Sequence, residues 1–299
     1  MTDLRDPVTG LPRRQPAARQ PSMHDQPTSP RASTGRHRRP VPAALPPEAP
    51  ALVLAVTGTG DTPDIADQIA AVIRVDNPAV DVRTARTGCG HGDPAGIPAV
   101  LADAAARRPA DGPAAVVIPF LVLPHPAVLS SIRQAVAGSS TNAIIAEPFE
   151  ASVTFAEALH IRLAEARLAR ADRVRMFSIP TAADGIIVAT VGGTPAAAAA
   201  APTAVLLAAR LALPVFAAAL DGTPSMHDAA AQLRQMGAQR LAIAPCIIGP
   251  EARPGELEAA RASIGADCAA PLGAHDSVAR MMTLTYGETL ARLDSAGGA

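Results

Sequence analysis

The fold is indicated first by the stretch ALVLAVTGTGD at residues 51–61, in which an apolar run leads directly into a glycine-containing loop. A helical pattern follows at residues 63–75. A continuous apolar strand that passes through such a loop into a helix is typical of the buried parallel strands of α/β proteins. The stretch therefore predicts the first strand, loop and helix of a parallel sheet.

The same alternation continues toward the C-terminus. Further strands of this first half are predicted at residues 80–85, 114–119 and 143–146. Helices are predicted between and after them at residues 97–107, 126–137 and 152–171. Apolar strands that alternate with helices indicate an α/β fold in which helices cover both faces of a parallel sheet.

The pattern then begins again, with strands predicted at residues 186–190, 215–219, 241–245 and 266–269. Short segments of the two halves are also similar: LVLA at 52–55 and IIVA at 186–189, GDP at 92–94 and GTP at 222–224, VIP at 117–119 and IAP at 243–245, and, less closely, AEPF at 146–149 and APL at 270–272. We interpret this as a tandem duplication of one α/β unit of about 120 residues. The predicted halves are residues 51–178 and 184–299, and we expect them to face each other across a cleft, where ligands commonly bind.

Composition excludes several classes of protein. The 299 residues carry a net charge of −1, with one tyrosine, five phenylalanines and no tryptophan. This argues against a basic nucleic-acid binder and against aromatic platforms that stack bases, so no nucleic-acid partner is expected. Three scattered cysteines suit neither a disulfide framework nor a CxxC zinc site, and they favour a reducing, cytoplasmic location.

The N-terminal segment differs from the rest of the chain. Residues 1–50 contain 11 of the 30 prolines and eight arginines against four acidic residues, so this segment is predicted to be a disordered tail. This segment has no apolar core of the kind found in signal peptides, so we expect no signal peptide. The longest apolar stretch, residues 186–220, is interrupted by glycines, prolines and Arg210, so no membrane association is expected.

Candidate chemistry collects at one edge of the predicted first sheet. The carboxyl ends of parallel strands meet at one edge, where ligands bind, which brings together the loops at residues 57–61, 87–93, 120–125 and 147–150. These loops carry a cysteine, two histidines and several carboxylates: Cys89, His91, His125, Asp61, Asp93, Glu147 and Glu150. Two imidazoles among carboxylates suit a divalent transition metal and can also accept protons near neutral pH.

Simpler interpretations stay open for each of these groups. The segment CGHGD at residues 89–93 is also compatible with a plain glycine-rich turn, and His125 with a cap on the following helix. His275 and Cys246 form a weaker metal candidate, for which packing or capping is favoured. His160 and His227 fall on predicted helices and receive no functional role.

The loop Gly58-Thr59-Gly60 matches the first two glycines of the dinucleotide-binding motif G-x-G-x-x-G. The third glycine of G-x-G-x-x-G falls at Pro63, so a nucleotide-dependent enzyme is disfavoured. A short anion-binding loop at a helix N-terminus is the alternative.

These residues together resemble the class II chelatases, the family of sirohydrochlorin cobaltochelatases and ferrochelatases. The clearest similarity is APLGAH at residues 270–275, before a closing helix. The segment AVTGTGD at 55–61 is similar to the family's first loop, the Asp93-Pro94 pair precedes the second helix as in the family, and residues 117–122 resemble its third strand. The resemblance spans residues 51–292 and implies two chelatase-like units.

The resemblance implies a lyase reaction of cobalamin or siroheme synthesis, in which Co, Ni or Fe is inserted as a substrate into a sirohydrochlorin-like tetrapyrrole. No organic cofactor is implied, and the protein is expected to be a monomer or a homo-oligomer. For this chemistry, the groups expected at the sheet edge are His125, His91 and Glu147 as catalytic residues, with both histidines as metal ligands. Implied substrate contacts are Thr57, Gly58, Asp61, Phe120 and Arg133.

The chain departs from the family at the metal ligands themselves. Thr57 stands where the family has its first catalytic histidine, and the second family histidine aligns with Ala127, two residues after His125. The family's metal-site glutamate falls near Gly90. A non-catalytic relative that binds a metal or tetrapyrrole as a carrier, sensor or partner subunit is therefore the alternative function.

Overall fold

A computed structural model of the chain describes residues 49–57, 63–89, 92–108, 112–149, 153–170 and 182–297. These residues belong to one compact unit, Val41–Ala299. Five predictions fall outside the described residues: the disordered tail and the positions of Gly58, Asp61, His91 and Glu150.

The first half contains the strands β1 to β4, which are Ala51–Val56, Val82–Arg86, Ala115–Pro119 and Ala143–Ile145. Its helices α1 to α4 are Pro63–Asp76, Ile97–Ala105, Pro126–Ala137 and Val153–Glu165. The helix α4 is shorter than predicted. It ends near Arg167, which has a φ of +61°, and the next two N–H groups turn back to the carbonyl of Leu163.

The second half contains the strands β5 to β8, which are Gly185–Thr190, Val215–Ala219, Leu241–Pro245 and Asp267–Cys268. Its helices α5 to α8 are Gly193–Leu211, Met226–Gln235, Glu256–Ile264 and Asp276–Gly297. The strands form two parallel four-stranded sheets of the same topology, β2-β1-β3-β4 and β6-β5-β7-β8. The predicted α/β class, with two units that each have a parallel sheet flanked by helices, is therefore confirmed.

The strand registers show which residues of the halves correspond. Ala55 pairs with Pro119, and Ala189 pairs with Pro245, as the similarity of the two segments predicts. The predicted match between residues 92–94 and 222–224 is wrong by one residue. Arg86 N–H donates to Ala95, whereas the equivalent N–H of Ala219 donates to Pro224.

The alternation of side chains along each strand explains the layers. Leu52, Leu54 and Val56 of β1 belong to a core that also contains Ile186 and Val188 of β5, so the inner faces of both sheets share one hydrophobic core. The helices α1, α4, α5 and α8 contribute to this shared core, α2 and α3 cover the outer face of the first sheet, and α6 and α7 cover the outer face of the second. Full burial of a large apolar side chain of the shared core, such as Leu54 or Ile186, contributes about 1.5–3 kcal/mol to the free energy of unfolding.

Among the described residues, α5 is long and apolar enough, by length and composition, to cross a membrane. In this fold it connects the paired strands β5 and β6, and it buries Ala196, Ala200 and Leu207. One face of α5 is therefore buried, while Val205 on this helix is exposed.

Candidate functional site

The four predicted loops do lie at one edge of the first sheet, as far as the structure describes them. The strands β1 to β4 are parallel, so Thr57 and the segments 87–89, 92–93, 120–125 and 147–149 all follow their carboxyl ends. Thr57 is partly buried at the end of the central strand β1. Its hydroxyl is a weak metal ligand and a very weak base compared with an imidazole.

His125 immediately precedes α3. It has an extended backbone (φ −121°, ψ 100°), Pro126 follows at the first helical position, and the imidazole makes no capping hydrogen bond. His125 is therefore the N-cap residue of α3, as the alternative interpretation expected, but its side chain does not make the cap. Its Nδ1 atom is buried and has no hydrogen-bond partner among the described residues. A buried polar atom without a partner is costly, which makes this nitrogen a candidate ligand atom.

The position of His125 depends on the second half of the chain. Gly192, which precedes α5, has a φ of +117°. A Cβ added there would lie 2.7 Å from the Pro124 carbonyl oxygen and 3.1 Å from the His125 Cα. The two halves are thus in direct contact at this point, and only glycine allows this approach.

Glu147 follows β4 and is exposed. It lines a small, mostly apolar pocket, together with Pro124 and Leu129. The structure therefore places the Glu147 carboxylate beside the loop that leads into His125. This carboxylate is available to solvent, as a proton acceptor requires.

Cys89 and Asp93 are in contact in the loop after β2. Burial raises the pKa of the Cys89 thiol, and its hydrogen bond to the Asp93 carboxylate raises it further. The Asp93 carboxylate accepts the Ala95 N–H at 2.8 Å, and this bond, followed by the one from Cys89, lowers the pKa of Asp93. Asp93 thus disfavours ionisation of the Cys89 thiol.

Two predicted substrate contacts are not at this site. Phe120 is 2% exposed and belongs to the shared core, so its side chain is not accessible to a substrate. Arg133 is exposed, but it lies about two turns into α3, away from the helix N-terminus at the sheet edge. The structure thus does not bring Arg133 next to His125.

Within the described part of the chain, no group of three or more His, Cys, Asp or Glu side chains is placed to hold a metal ion. His91, Asp61 and Glu150 lie outside that part. A single ion shared by His91 and His125 therefore stays a prediction.

The other histidines with described contacts have structural roles. His275 Nδ1 accepts the Ser277 N–H at 3.1 Å at the start of α8, so the capping interpretation is confirmed. Cys246 is 1% exposed, and burial raises the pKa of its thiol to about 12, which does not suit a ligand. His160 accepts a hydrogen bond from Arg210 of α5 through Nδ1 at 2.8 Å, and thereby joins α4 to the second half.

Sequence reasoning missed two carboxylates that fix the loops at the boundary between the halves. Asp221 accepts the N–H groups of Gly192 at 3.1 Å and Gly193 at 2.9 Å. Glu251 accepts the N–H groups of Ile248 at 3.0 Å and Gly249 at 2.7 Å, both within its own turn. Neither acid belongs to a recognisable motif. The only sequence signal is the glycine or proline beside each loop.

No family model matches the chain, and no curated protein does. A solved structure that is similar to it is the crystal structure of the sirohydrochlorin chelatase SirB from Bacillus subtilis subspecies spizizenii in complex with cobalt. The match has a TM-score of 0.56 and 12% sequence identity, and it covers 81% of this chain and 95% of that chain. At this identity the comparison shows that the two proteins share a chelatase-like fold of two α/β units.

Proposed function

We propose that this protein is a chelatase-like protein that binds a divalent metal ion and a tetrapyrrole, with slow or no metal insertion. The observation that carries the proposal is the buried, unpartnered Nδ1 of His125 at the carboxyl edge of the first sheet. The similarity of the fold to a sirohydrochlorin chelatase solved with cobalt supports it.

The chemistry that the proposal requires matches the groups at this edge. Insertion of a divalent ion into a tetrapyrrole strips water from the ion and removes two protons from pyrrole nitrogens. A neutral imidazole of His125, with His91 as its predicted partner, would hold the ion as substrate and release it to the macrocycle. The exposed Glu147 carboxylate would accept protons. Gly58 and Asp61 remain proposed substrate contacts.

Slow turnover follows from Thr57. A neutral hydroxyl at the position of the family's first histidine supplies neither a strong ligand nor a base near pH 7. Loss of one general acid–base group typically costs about 10²–10⁴-fold in rate. The metal would be Co, Ni or Fe, and we propose a cytoplasmic protein that is monomeric or homo-oligomeric.

The second candidate function is a non-catalytic carrier, sensor or partner subunit that binds the metal or the tetrapyrrole. One observation favours it: the threonine at position 57, where the resembled family has its first histidine.

The experiment is an absorbance time course with sirohydrochlorin and Co²⁺, Ni²⁺ or Fe²⁺, run on the native chain, on three single variants and on a double variant that lacks both His91 and His125. Thr57→His should raise the insertion rate, and His125→Ala should abolish it. His227→Ala is the matched control, since His227 is exposed on α6, and it should have no effect.

Native turnover that survives loss of both His91 and His125 would overturn the site assignment. A tetrapyrrole that binds without turnover, even in Thr57→His, would favour the non-catalytic function.

A further inference from the structure

The turn that leads from β5 into α5 is held by a carboxylate from the loop after β6. The Asp221 carboxylate accepts the N–H groups of both glycines of this turn. The Gly192 nitrogen lies 3.1 Å from each carboxylate oxygen, and the Gly193 nitrogen lies 2.9 Å from Oδ1. The first N–H groups of a helix have no partner within the helix, so a carboxylate at this place is favoured by hydrogen bonding and by the helix dipole.

The loop of Asp221 contacts the same turn at two further points. A Cβ added at Gly222 would lie 2.7 Å from the Gly193 Cα, so the two backbones are closely packed. The hydroxyl oxygens of Thr194 and Thr223 are 3.0 Å apart and share a hydrogen bond. The glycine turn is therefore fixed to the loop after β6, which belongs to the same half of the chain.

The other side of the glycine turn contacts the first half. Gly192 is buried, and a Cβ added there would lie 2.7 Å from the Pro124 carbonyl oxygen and 3.1 Å from the His125 Cα. The backbone of Gly192 is thus the surface against which the two residues before α3 pack. The buried, unpartnered Nδ1 belongs to one of these two residues, so the position of that nitrogen depends on a turn in the second half.

We infer that Asp221 is a positioning residue, which fixes the turn of Gly192 and Gly193 and, through this turn, the place at which His125 meets a metal ion. The metal ion in this inference rests on the proposed function, whereas the placement of His125 does not. Asp221 is not a ligand and acts through the backbone of Gly192. Without the carboxylate, the buried Gly192 N–H loses both of its acceptor oxygens, which favours a reorientation of this peptide group.

Asp184 offers a matched control within the same sheet. Its carboxylate also accepts two consecutive backbone N–H groups, those of Gln239 at 2.9 Å and Arg240 at 2.7 Å. Asp184 immediately precedes β5, whereas the glycine turn follows β5, so the two carboxylates act at opposite edges of the sheet. Asp184→Ala and Asp221→Ala each remove one charge and the acceptor of two N–H groups, and thermal unfolding of each variant measures the structural cost.

Three readouts are measured on the full chain. Amide hydrogen exchange at Gly192 and Gly193 and the NMR signals of the His125 ring are recorded without metal, and the affinity for Co²⁺ is measured separately. Asp221→Ala should raise the exchange rate at both glycines by about tenfold or more, because their N–H groups lose a charged acceptor. It should also shift the His125 signals and weaken Co²⁺ binding by about 10- to 100-fold, the usual effect of losing an indirect support of a metal ligand.

Two further variants complete the comparison. Asp221→Asn keeps one carbonyl oxygen as an acceptor but loses the charge, so it should change the three readouts in the same direction as Asp221→Ala and by less. Asp184→Ala should lower Tm and leave all three readouts unchanged. If Asp221→Ala does not fold, Asp221→Asn is judged by the same criteria.

Unchanged exchange at the two glycines of Asp221→Ala would overturn the inference. Faster exchange with unmoved His125 signals would do so too, since the turn would then change without the histidine, as would shifted signals with unchanged Co²⁺ affinity. An equal loss of Co²⁺ affinity in Asp184→Ala would show that the effect is only one of stability. A native chain that binds no Co²⁺ would refute the proposed function and the part of the inference that concerns the metal, and shifted His125 signals would then still establish that Asp221 places this histidine.

Discussion

Replacement of Gly192 by alanine should destabilise the chain and disturb His125 at the same time. The backbone of Gly192 has a φ of +117°, which an alanine adopts at a cost of about 1–2 kcal/mol. The new Cβ would also lie 2.7 Å from the Pro124 carbonyl oxygen, and a contact with backbone cannot relax by a side-chain rotation. Such overpacking costs about 1–3 kcal/mol.

The two costs together give a loss of about 2–5 kcal/mol in the free energy of unfolding. For a domain of this size, a loss of about 3 kcal/mol lowers Tm by about 6–12 °C. The assay is chemical and thermal unfolding, combined with the NMR signals of the His125 ring, which are assigned by comparison with His125→Ala.

Alanine substitutions at two other glycines separate the cost of the backbone conformation from the cost of crowding. Gly237 has a φ of +95° with nothing within 4 Å of an added Cβ, so Gly237→Ala measures the backbone cost alone. At Gly222 an added Cβ would lie 2.7 Å from Gly193 Cα, so Gly222→Ala measures crowding inside the second half. Only Gly192→Ala should shift the His125 signals. If Gly192→Ala costs no more than Gly237→Ala and leaves those signals unchanged, the contact between the halves is not as described.

Three further predictions concern single residues. Tyr286 is 1% exposed, and burial raises its pKa to about 12, so the stability that its protonated phenol contributes is complete below pH 10 and is lost as the pH rises toward 12. Tyr286 is the only tyrosine in a chain without tryptophan, so the absorbance of its phenolate measures its ionisation directly. Ionisation near pH 10 would contradict the prediction. Asp93→Asn should lower the pKa of Cys89 and therefore speed alkylation of this thiol at neutral pH, as measured by mass spectrometry. Cys268 and Cys246 are the controls and should react slowly in both proteins, because burial raises the pKa of Cys268 to about 11 and that of Cys246 to about 12. Arg210→Ala should cost about 1–3 kcal/mol in unfolding free energy, because His160 loses its buried hydrogen-bond donor; a loss below about 0.5 kcal/mol would show that this bridge between the halves is unimportant.

The elements of the fold could be predicted because their signals are local. Each buried strand is a short apolar run, and the helices between them have glycine or proline at their ends, as at Gly96 and Pro126. Parallel strands then place all their following loops at one edge without further information. The predicted end of α4 was less accurate, since it depends on the left-handed conformation of Arg167.

The candidate site could be predicted only in part. The sequence placed His125 and Glu147 on one edge, and the parallel topology confirms that placement. It also suggested Phe120 and Arg133 as contacts, because proximity in sequence to a site says nothing about which way a side chain points. Phe120 lies in the shared core, and Arg133 lies two turns along a helix.

By itself, then, the sequence determined the α/β class, the repetition of the unit and the edge where chemistry is concentrated, because these depend on apolar periodicity and on the direction of parallel strands. Only the tertiary structure decided how the halves meet. The contacts of Gly192 with Pro124 and His125 join residues that lie far apart in the chain. They depend on the relative position of two packed sheets, and no local pattern of residues encodes that position, because it results from the whole of the shared core.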